Sequence, residues 1–218
     1  MSAERRIKLI NERIVAAAER SGRKAEDITL VTISKAQPLE KILELRNAGI
    51  SLFGESRVQD ALPKIESVVN ASWHFIGRLQ RNKFKHMAGR FELIHSLSSE
   101  KDALALARHA AHVQDVLVQV NLAGEEQKDG VAPGDLDSLL KIVKSLTALR
   151  LRGFMLMPPF EEEPELNRPL FRRMRALFDR YRGGVIDTLS MGMSGDFELA
   201  IEEGATMVRI GTALFEDL

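Results

Sequence analysis

The sequence of 218 residues contains no cysteine. That absence excludes thiol nucleophiles, disulfide bonds and thiolate metal sites, and it agrees with a reducing compartment. No run approaches the roughly 18 apolar residues of a membrane-spanning helix. Charged residues interrupt the N-terminal stretch every few positions, so we expect no secretory leader. We therefore expect a soluble, cytoplasmic protein.

The chain also has no formal net charge at pH 7, because 31 Lys and Arg residues are matched by 31 Asp and Glu residues. A balanced chain creates no overall field that attracts nucleic acid or an anionic membrane, so we expect neither as a partner. The basic clusters at 78–85 and 168–182 have helical spacing or acidic neighbours, which is typical of solvated helix faces. No other histidine stands at metal-ligand spacing from His74, so a zinc site has little support and we expect no metal.

The apolar pattern that is present alternates between helical and strand-like segments. Apolar residues at positions 7, 10, 14 and 17 predict an amphipathic first helix that ends near residue 21. Eight short apolar runs follow, and a helix-like segment succeeds each of them. The predicted strands are Ile28–Ile33, Ser51–Phe53, Trp73–Ile76, Leu93–His95, Val116–Val120, Leu151–Met155, Val185–Leu189 and Met207–Ile210. The predicted helices cover about 38–48, 56–69, 81–88, 99–111, 134–147, 166–181, 195–203 and 212–217.

This order of elements predicts the fold class. Eight βα units within about 190 residues favour an α/β fold, a single (β/α)8 barrel of the TIM type with an extra N-terminal helix. We expect one domain over residues 1–218, because no linker or change in composition begins a second one. An open doubly wound sheet remains the alternative, since periodicity counts strands without closing them.

In barrels of this kind the chemistry lies at the carboxyl ends of the strands. Lys35 directly follows the first strand, in Ile33-Ser34-Lys35. An amine with apolar flanks at that place can have a lowered pKa, which favours Schiff-base chemistry. An ordinary surface lysine at a strand–loop junction is the alternative. His74, inside the third strand, is likewise either a core histidine or a pocket residue.

Two turns near the end of the chain predict an anion site. Residues 190–195, Ser-Met-Gly-Met-Ser-Gly, follow the seventh strand, and Gly211-Thr212 opens the last helix. Backbone N–H groups and hydroxyls at such turns bind phosphate, and strands seven and eight often form this site. Arg209 lies inside the eighth strand and needs a partner if it points inward. Strands one and eight adjoin in a closed barrel, so a phosphorylated aldehyde such as pyridoxal 5′-phosphate (PLP) could be held as an internal aldimine on Lys35.

The same segments carry a resemblance over nearly the whole chain. The sequence closely resembles the pyridoxal phosphate homeostasis proteins of the YggS/PROSC type, whose fold is similar to the N-terminal barrel of alanine racemase. The matching segments are VTISKAQP, LFGESRVQDALPKI, WHFIGRLQRNK, HSLSS, VLVQVN, LRGFMLMPP and TLSMGMSGDFELAIEEGATMVRIGTALF. Ser56 replaces the usual Asn of the second segment, and Leu156 stands where Thr is common.

The resemblance implies a site and a function. It implies PLP as the cofactor and a role in vitamin B6 and amino-acid homeostasis, as a carrier or regulator without a dedicated catalytic activity. It implies apo forms of PLP-dependent enzymes as partners, and we expect a monomer. The implied cofactor-binding residues are Lys35 for the aldimine, Ser194, Gly211 and Thr212 with nearby Ser190 for the phosphate, Arg209 for the pyridine nitrogen, and His74 and Met155 for the pocket wall.

Two alternatives stay open at this point. A weak PLP-dependent amino-acid racemase or lyase is one of them, and a phosphosugar-type barrel enzyme that uses Lys35 without PLP is the other. Racemisation by two bases needs an acid or base on each face of the cofactor. The single tyrosine, Tyr181, lies near a helix end that we expect on the opposite face of the barrel.

Overall fold

The computed structural model describes residues 1–124 and 129–216, and its centre is a closed barrel of parallel strands. The strands neighbour one another in chain order, and the first pairs with the last. This closure confirms the predicted (β/α)8 barrel and excludes the open doubly wound sheet. The strands are β1 (Thr29–Ile33), β2 (Leu52–Glu55), β3 (Ser72–Phe75), β4 (Leu93–Leu97), β5 (Gln114–Val120), β6 (Leu149–Leu156), β7 (Thr188–Ser190) and β8 (Met207–Ile210).

A helix follows each strand, and one further helix precedes the first strand. Residue 217, the end of the last predicted helix, lies outside the described residues. The helices are α1 (Ala3–Arg20), α2 (Leu39–Asn47), α3 (Val58–Ser67), α4 (Phe84–Met87), α5 (Glu100–His109), α6 (Leu136–Ser145), α7 (Arg168–Asp179), α8 (Phe197–Glu202) and α9 (Thr212–Phe215). Short 3₁₀ turns occupy Ala25–Asp27, Arg81–Lys83 and Pro164–Asn167.

The N-terminal helix α1 is the predicted extra element, and it lies against the last two helices. The Nε of Arg6 donates a hydrogen bond to the carbonyl of Leu214 in α9 at 2.7 Å. The guanidinium of Arg13 bonds to the carboxylate of Glu198 in α8 at 2.6 Å. The apolar face of α1 is buried below these contacts. No helix in the described part of the chain is long and apolar enough to cross a membrane.

The seventh strand is shorter than its apolar pattern predicts. The predicted strand begins at Val185, but Val185 is 55% exposed and β7 begins only at Thr188. Gly183 and Ile186 form an antiparallel bridge, so a tight turn takes up the first part of the apolar run. The prediction is wrong at this end because hydrophobicity alone does not separate a strand from the turn that leads into it.

Gly153 sits in β6 at the point where β6 meets β7. Its φ is +151°, and a Cβ built there would collide with the carbonyl oxygen of Thr188. The pairing of β5 with β6 also shifts register between Val116 and Leu117. Only glycine fits this bulged position, because the backbone of β7 takes the space of a side chain.

Apolar side chains form two layers that position the site. The larger layer lies between the barrel and the helices, and the smaller one fills the barrel. The inner layer consists of Val31, Ile33, Leu93, Leu117, Met155 and Met207. Side chains on a strand alternate between its two faces, so Arg209 shares the inward face of β8 with Met207. Buried polar residues of the same strands, His74, His95 and Ser190 among them, form hydrogen bonds described below.

Candidate functional site

A cavity of about 340 Å³ lies at the carboxyl ends of the strands. That volume is within the range of roughly 300–1,000 Å³ that small-molecule sites occupy. The cavity joins the ends of β1, β3, β6 and β8 to the turn after β7. Its wall is formed by Ile33, Lys35, Gln37, Ile76, Met157, Pro159, Phe160, Glu161, Pro164, Asn167, Met193, Ser194, Gly195, Asp196, Arg209, Gly211 and Thr212.

Lys35 stands at the edge of this cavity, two residues after the end of β1. Its side chain is exposed, and its amine has no hydrogen bond or ion pair to any residue that the structure describes. The next residue, Ala36, has a φ of +59°, a left-handed conformation that non-glycine residues seldom adopt. Backbone strain of this kind is concentrated at functional sites. No described residue pairs with the amine, so it is accessible to a ligand in the cavity.

A buried ion pair supports the turn that carries Lys35. The ammonium of Lys64 in α3 donates to the carbonyl of Ser34 at 2.8 Å and contacts the Glu55 carboxylate at 2.5 Å. The hydroxyl of Ser34 donates to the same carboxylate at 2.7 Å. Two hydrogen bonds thus hold Ser34, the residue before Lys35, to the ion pair, so that the turn leaves the barrel in one direction.

The turns after β7 and β8 supply a set of anion donors. The N–H of Gly211 donates to Ser194 Oγ at 3.3 Å, which brings the two turns together. Among the described residues, no acceptor is bonded to the Ser194 hydroxyl or to the N–H groups of Ser194 and Gly195. Thr212 adds an exposed hydroxyl at the start of α9. Unused N–H and O–H donors on adjoining turns favour a bound anion such as phosphate.

Arg209 forms the floor of the cavity and is 2% exposed. Its guanidinium donates to Ser190 Oγ at 2.7 Å and to the carbonyl of Leu156 at 3.0 Å. Within the described ranges no carboxylate lies at ion-pairing distance. Burial lowers the pKa of Arg209 to about 10, and the charge of Asp196 acts in the opposite direction. The group remains a cation near neutral pH, and it can only donate hydrogen bonds to a ligand.

Two histidines continue the contacts of Arg209 into the barrel. Ser190 Oγ lies 3.1 Å from His95 Nδ1, and His95 Nε2 lies 3.0 Å from His74 Nδ1. Burial lowers the pKa of His74 to about 4, although the charge of Asp115 opposes this change. Burial, then His74 and then Arg209, lower the pKa of His95 well below its ordinary value. Both rings are neutral near pH 7.

The structure brings five of the eight predicted site residues to the cavity wall, namely Lys35, Ser194, Arg209, Gly211 and Thr212. Ser190 lies directly behind Arg209 and touches it. His74 and Met155 lie deeper in the barrel. Ile76 and Met157, each two residues further along the chain and one residue past the end of β3 or β6, form the wall instead. Side chains two residues apart lie on one face of a strand, so the prediction selected the layer below the cavity.

Other residues of the site carry weak signals in the sequence. Asn167 donates to the carboxylate of Asp196 at 3.1 Å, and both line the cavity. Burial raises the pKa of Asp196, while hydrogen bonds from Met193 and Asn167 partly offset that effect. Asn167 precedes α7 and Asp196 precedes α8, positions where such residues usually cap helices. His95 resembles a core residue within the apolar run of β4.

Tyr181 lies away from this cavity. Its hydroxyl donates to the Asp137 carboxylate in α6 at 2.6 Å, and this hydrogen bond raises the pKa of the phenol. The ring packs against Phe154 with the centroids 5.6 Å apart. Tyr181 follows the end of α7, on the side of the barrel where β7 begins. It cannot act on a ligand held by Lys35 from this position.

A second cavity, of about 760 Å³, opens at the amino ends of the strands. His74 lines this cavity and Arg209 lines the first one. The contacts from Arg209 through Ser190 and His95 to His74 therefore run between the two cavities. Charges of both signs line it, and Arg152 pairs there with Asp115 at 3.0 Å and Asp187 at 2.9 Å. Among the described residues that line this cavity there is neither a lysine nor a glycine.

Comparison with known proteins places the chain among its relatives. The sequence pattern described as "Alanine racemase, N-terminal domain" matches residues 11–218. A pyridoxal phosphate homeostasis protein of Aquifex aeolicus is 46% identical over 223 residues, which cover 99% of this chain and 98% of the relative. The chain belongs to the pyridoxal phosphate homeostasis protein family. The family member of Escherichia coli is 41% identical over 94% of this chain and 92% of its own length.

Solved structures agree with the family and the fold. PipY of Synechococcus elongatus, solved without PLP, gives a TM-score of 0.82 at 34% identity and covers 95% of this chain and 100% of that one. The PipY structure with PLP bound gives 0.80 at 33% identity, with the same coverage. Alanine racemase of Corynebacterium glutamicum, at 17% identity, gives 0.71 over 94% of this chain and 59% of that one. This last likeness shows the barrel fold alone.

Proposed function

We propose that this chain binds PLP in the cavity at the carboxyl ends of the strands and serves PLP homeostasis as one barrel domain. The observation that carries the proposal is the combination of a free Lys35 amine with the unused donors of Ser194, Gly195 and Thr212 on one cavity wall. Bound PLP supplies an aldehyde, an anionic phosphate and a pyridine nitrogen. The donor set fits all three groups.

Each residue has a separate task in this proposal. The Lys35 amine condenses with the aldehyde with loss of one water, which forms a reversible C=N bond. Ser194, Gly195 and Thr212 donate to the phosphate, and Gly211 holds the two turns together beside it. Arg209 donates a hydrogen bond to the ring nitrogen, and because a guanidinium cannot accept a proton it disfavours the protonated ring. A relative of 33% identity has been solved with PLP bound, which supports this assignment.

Reduction with borohydride tests the assignment. The purified chain with PLP should show a yellow chromophore that borohydride bleaches, and peptide mapping should find the reduced adduct on Lys35. Lys35→Ala should lose the adduct, whereas Lys141→Ala, at an exposed position of α6, should keep it. A stable adduct on another lysine, or none, would contradict the proposal. It would also favour the alternative in which Lys35 works without PLP.

We further propose a carrier or regulator in place of a dedicated enzyme. This part is supported by the position of Tyr181, since the tyrosine lies away from the cavity where a second base would be needed. The proposed recipients are apo forms of PLP-dependent enzymes, and the proposed carrier is a monomer. PLP transfer from the loaded chain to an apo-enzyme should be faster or better protected than transfer from free PLP. Equal rates would leave storage or regulation as the role.

A further inference from the structure

Four buried side chains form one continuous row of hydrogen bonds through the barrel. The row begins at Arg209 on the floor of the carboxyl-end cavity and passes through Ser190 and His95. It ends at His74, on the wall of the amino-end cavity. The donor–acceptor distances are 2.7, 3.1 and 3.0 Å in this order.

The direction of the row follows from its first member. A guanidinium only donates, so Ser190 Oγ accepts from Arg209. The buried Ser190 hydroxyl then needs an acceptor for its own proton, and the partner that the structure offers is His95 Nδ1. A neutral imidazole that accepts at Nδ1 carries its proton at Nε2. His95 Nε2–H therefore donates to His74 Nδ1, and His74 in turn carries its proton at Nε2.

This order leaves His95 with one state that satisfies every partner. With the proton on Nδ1, both Arg209 and His95 would donate to Ser190, and the Ser190 hydroxyl would lose its acceptor. His95 Nε2 would then have no proton and would face the unprotonated Nδ1 of His74, unless His74 also changed its tautomer. Unsatisfied groups in a buried network are costly, so the network selects a single arrangement.

We propose that His95 is a positioning residue for the cofactor site, acting on Arg209 through the Ser190 hydroxyl, with His74 selecting its tautomer. This inference rests on the proposed function, because the cofactor ring is what Arg209 would face. Arg209 is held by two acceptors, Ser190 Oγ and the Leu156 carbonyl. Losing the serine contact leaves a single anchor, and the guanidinium can then turn away from the ligand.

The first test needs no cofactor. In the apo-protein with ¹⁵N-labelled histidine, long-range ¹H–¹⁵N spectra should show His95 and His74 neutral near pH 7, with protons on Nε2 and bare Nδ1 atoms. His109, exposed at the end of α5, provides a solvent-exposed comparison in the same spectrum. A proton on His95 Nδ1, or a charged His95 ring, overturns the proposal.

The second test uses the PLP-loaded chain and pairs two variants of His95. His95→Leu removes the acceptor, so PLP affinity should fall on the order of tenfold, and the absorption maximum of the bound cofactor and its pH profile should shift. His95→Asn retains an acceptor near the place of Nδ1 and should restore much of the wild-type spectrum. His109→Asn should match wild type. An unchanged spectrum and affinity in His95→Leu overturn the proposal.

Two further outcomes distinguish a failure of this proposal from a failure of the proposed function. If His95→Leu does not fold, Ser190→Ala removes the serine contact of Arg209 directly and should shift the spectrum in the same direction. A wild-type spectrum in that variant overturns the role of the row. If the wild-type chain binds no PLP at all, the proposed function fails and so does the cofactor role of His95. The histidine tautomers in the apo-protein would still confirm or contradict the row by themselves.

Discussion

Ser194 Oγ accepts a hydrogen bond from the Gly211 N–H at 3.3 Å, and this contact joins the turns that follow β7 and β8. The two residues are 17 positions apart in the sequence, yet parallel neighbours in a barrel end at the same edge. Because Ser194 Oγ only accepts in this bond, its own O–H remains free to donate to a ligand. The anion site is thus assembled by strand pairing between β7 and β8.

Ser194→Ala should weaken the binding of PLP. Loss of one hydrogen bond to a charged phosphate costs about 1.5–3 kcal/mol, which corresponds to roughly 10-fold to 150-fold in affinity. Fluorescence titration with PLP measures the change. Ser138→Ala, at an exposed position of α6, is the matched control and should bind as wild type does. Wild-type affinity in Ser194→Ala would remove this serine from the phosphate site.

The free energy of unfolding should decrease as the pH is lowered from 6.5 to about 4, because His74 is buried and uncharged in this range. The pKa of His74 is about 4 in the folded chain, whereas an ordinary histidine titrates near 6.5. Between these values the unfolded chain binds a proton that the folded chain does not, so the free energy of unfolding decreases. The loss begins below pH 6.5, is complete near pH 4, and amounts to about 3 kcal/mol for this residue. The buried neutral His95 acts in the same direction.

Urea unfolding at several pH values measures this effect. His74→Asn should flatten the decline between pH 6.5 and pH 4, because the titrating group is gone. His86→Asn changes an exposed histidine and should leave the slope as it is in wild type. A slope in His74→Asn equal to that of wild type would assign the acid sensitivity to other groups.

The sequence predicted the barrel and the edge at which the candidate site lies, for reasons that are local. Lys35 comes two residues after an apolar run rich in β-branched residues, and Gly211-Thr212 follows another apolar run, so the strand ends could be located. The depth of a side chain inside the barrel depends on the stagger between strands, which no local pattern contains. That is why His74 was expected on the cavity wall when Ile76 is the residue found there.

Long-range polar contacts were equally hidden from the sequence. His95 and Ser190 are 95 residues apart, and their hydrogen bond joins β4 and β7, which are not neighbours in the barrel. The Glu55–Lys64 pair has a spacing of nine residues, typical of neither a helix face nor a strand face. Burial holds such pairs in place. It depends on the closed barrel, so the sequence does not predict it.

The buried Glu55–Lys64 pair should be costly to break. Lys64→Met leaves the Glu55 carboxylate buried without its cation, with an expected loss of about 3–5 kcal/mol in the free energy of unfolding. Urea denaturation measures the loss, and the double variant Lys64→Met with Glu55→Leu should recover part of it. Lys8→Met breaks the exposed Lys8–Glu12 pair and should change stability by less than about 1 kcal/mol. Equal effects of the two lysine variants would contradict the structural role of the buried pair.

Gly153→Ala should prevent the barrel from closing. The added Cβ meets the Thr188 carbonyl, and the φ of +151° is unfavourable for alanine. The expected result is insoluble protein or a loss of more than about 4 kcal/mol, the upper range for single substitutions. Gly134→Ala provides the control, because a Cβ added at that position meets no atom within 4 Å and the backbone there is not left-handed. Circular dichroism melting of both variants compares them.

The position of Tyr181, away from the cavity of Lys35, predicts little exchange at the α-carbon of amino acids. Racemisation by two bases needs a proton donor on the face opposite the lysine, and Tyr181 is held by Asp137 at 2.6 Å, away from the cavity. The PLP-loaded chain in D₂O should therefore leave alanine and other amino acids unlabelled at the α-carbon in proton NMR. Alanine racemase provides the positive control. Rapid exchange that disappears in Lys35→Ala would instead favour the racemase alternative, and Glu161, a carboxylate on the cavity wall, would then be the first residue to replace.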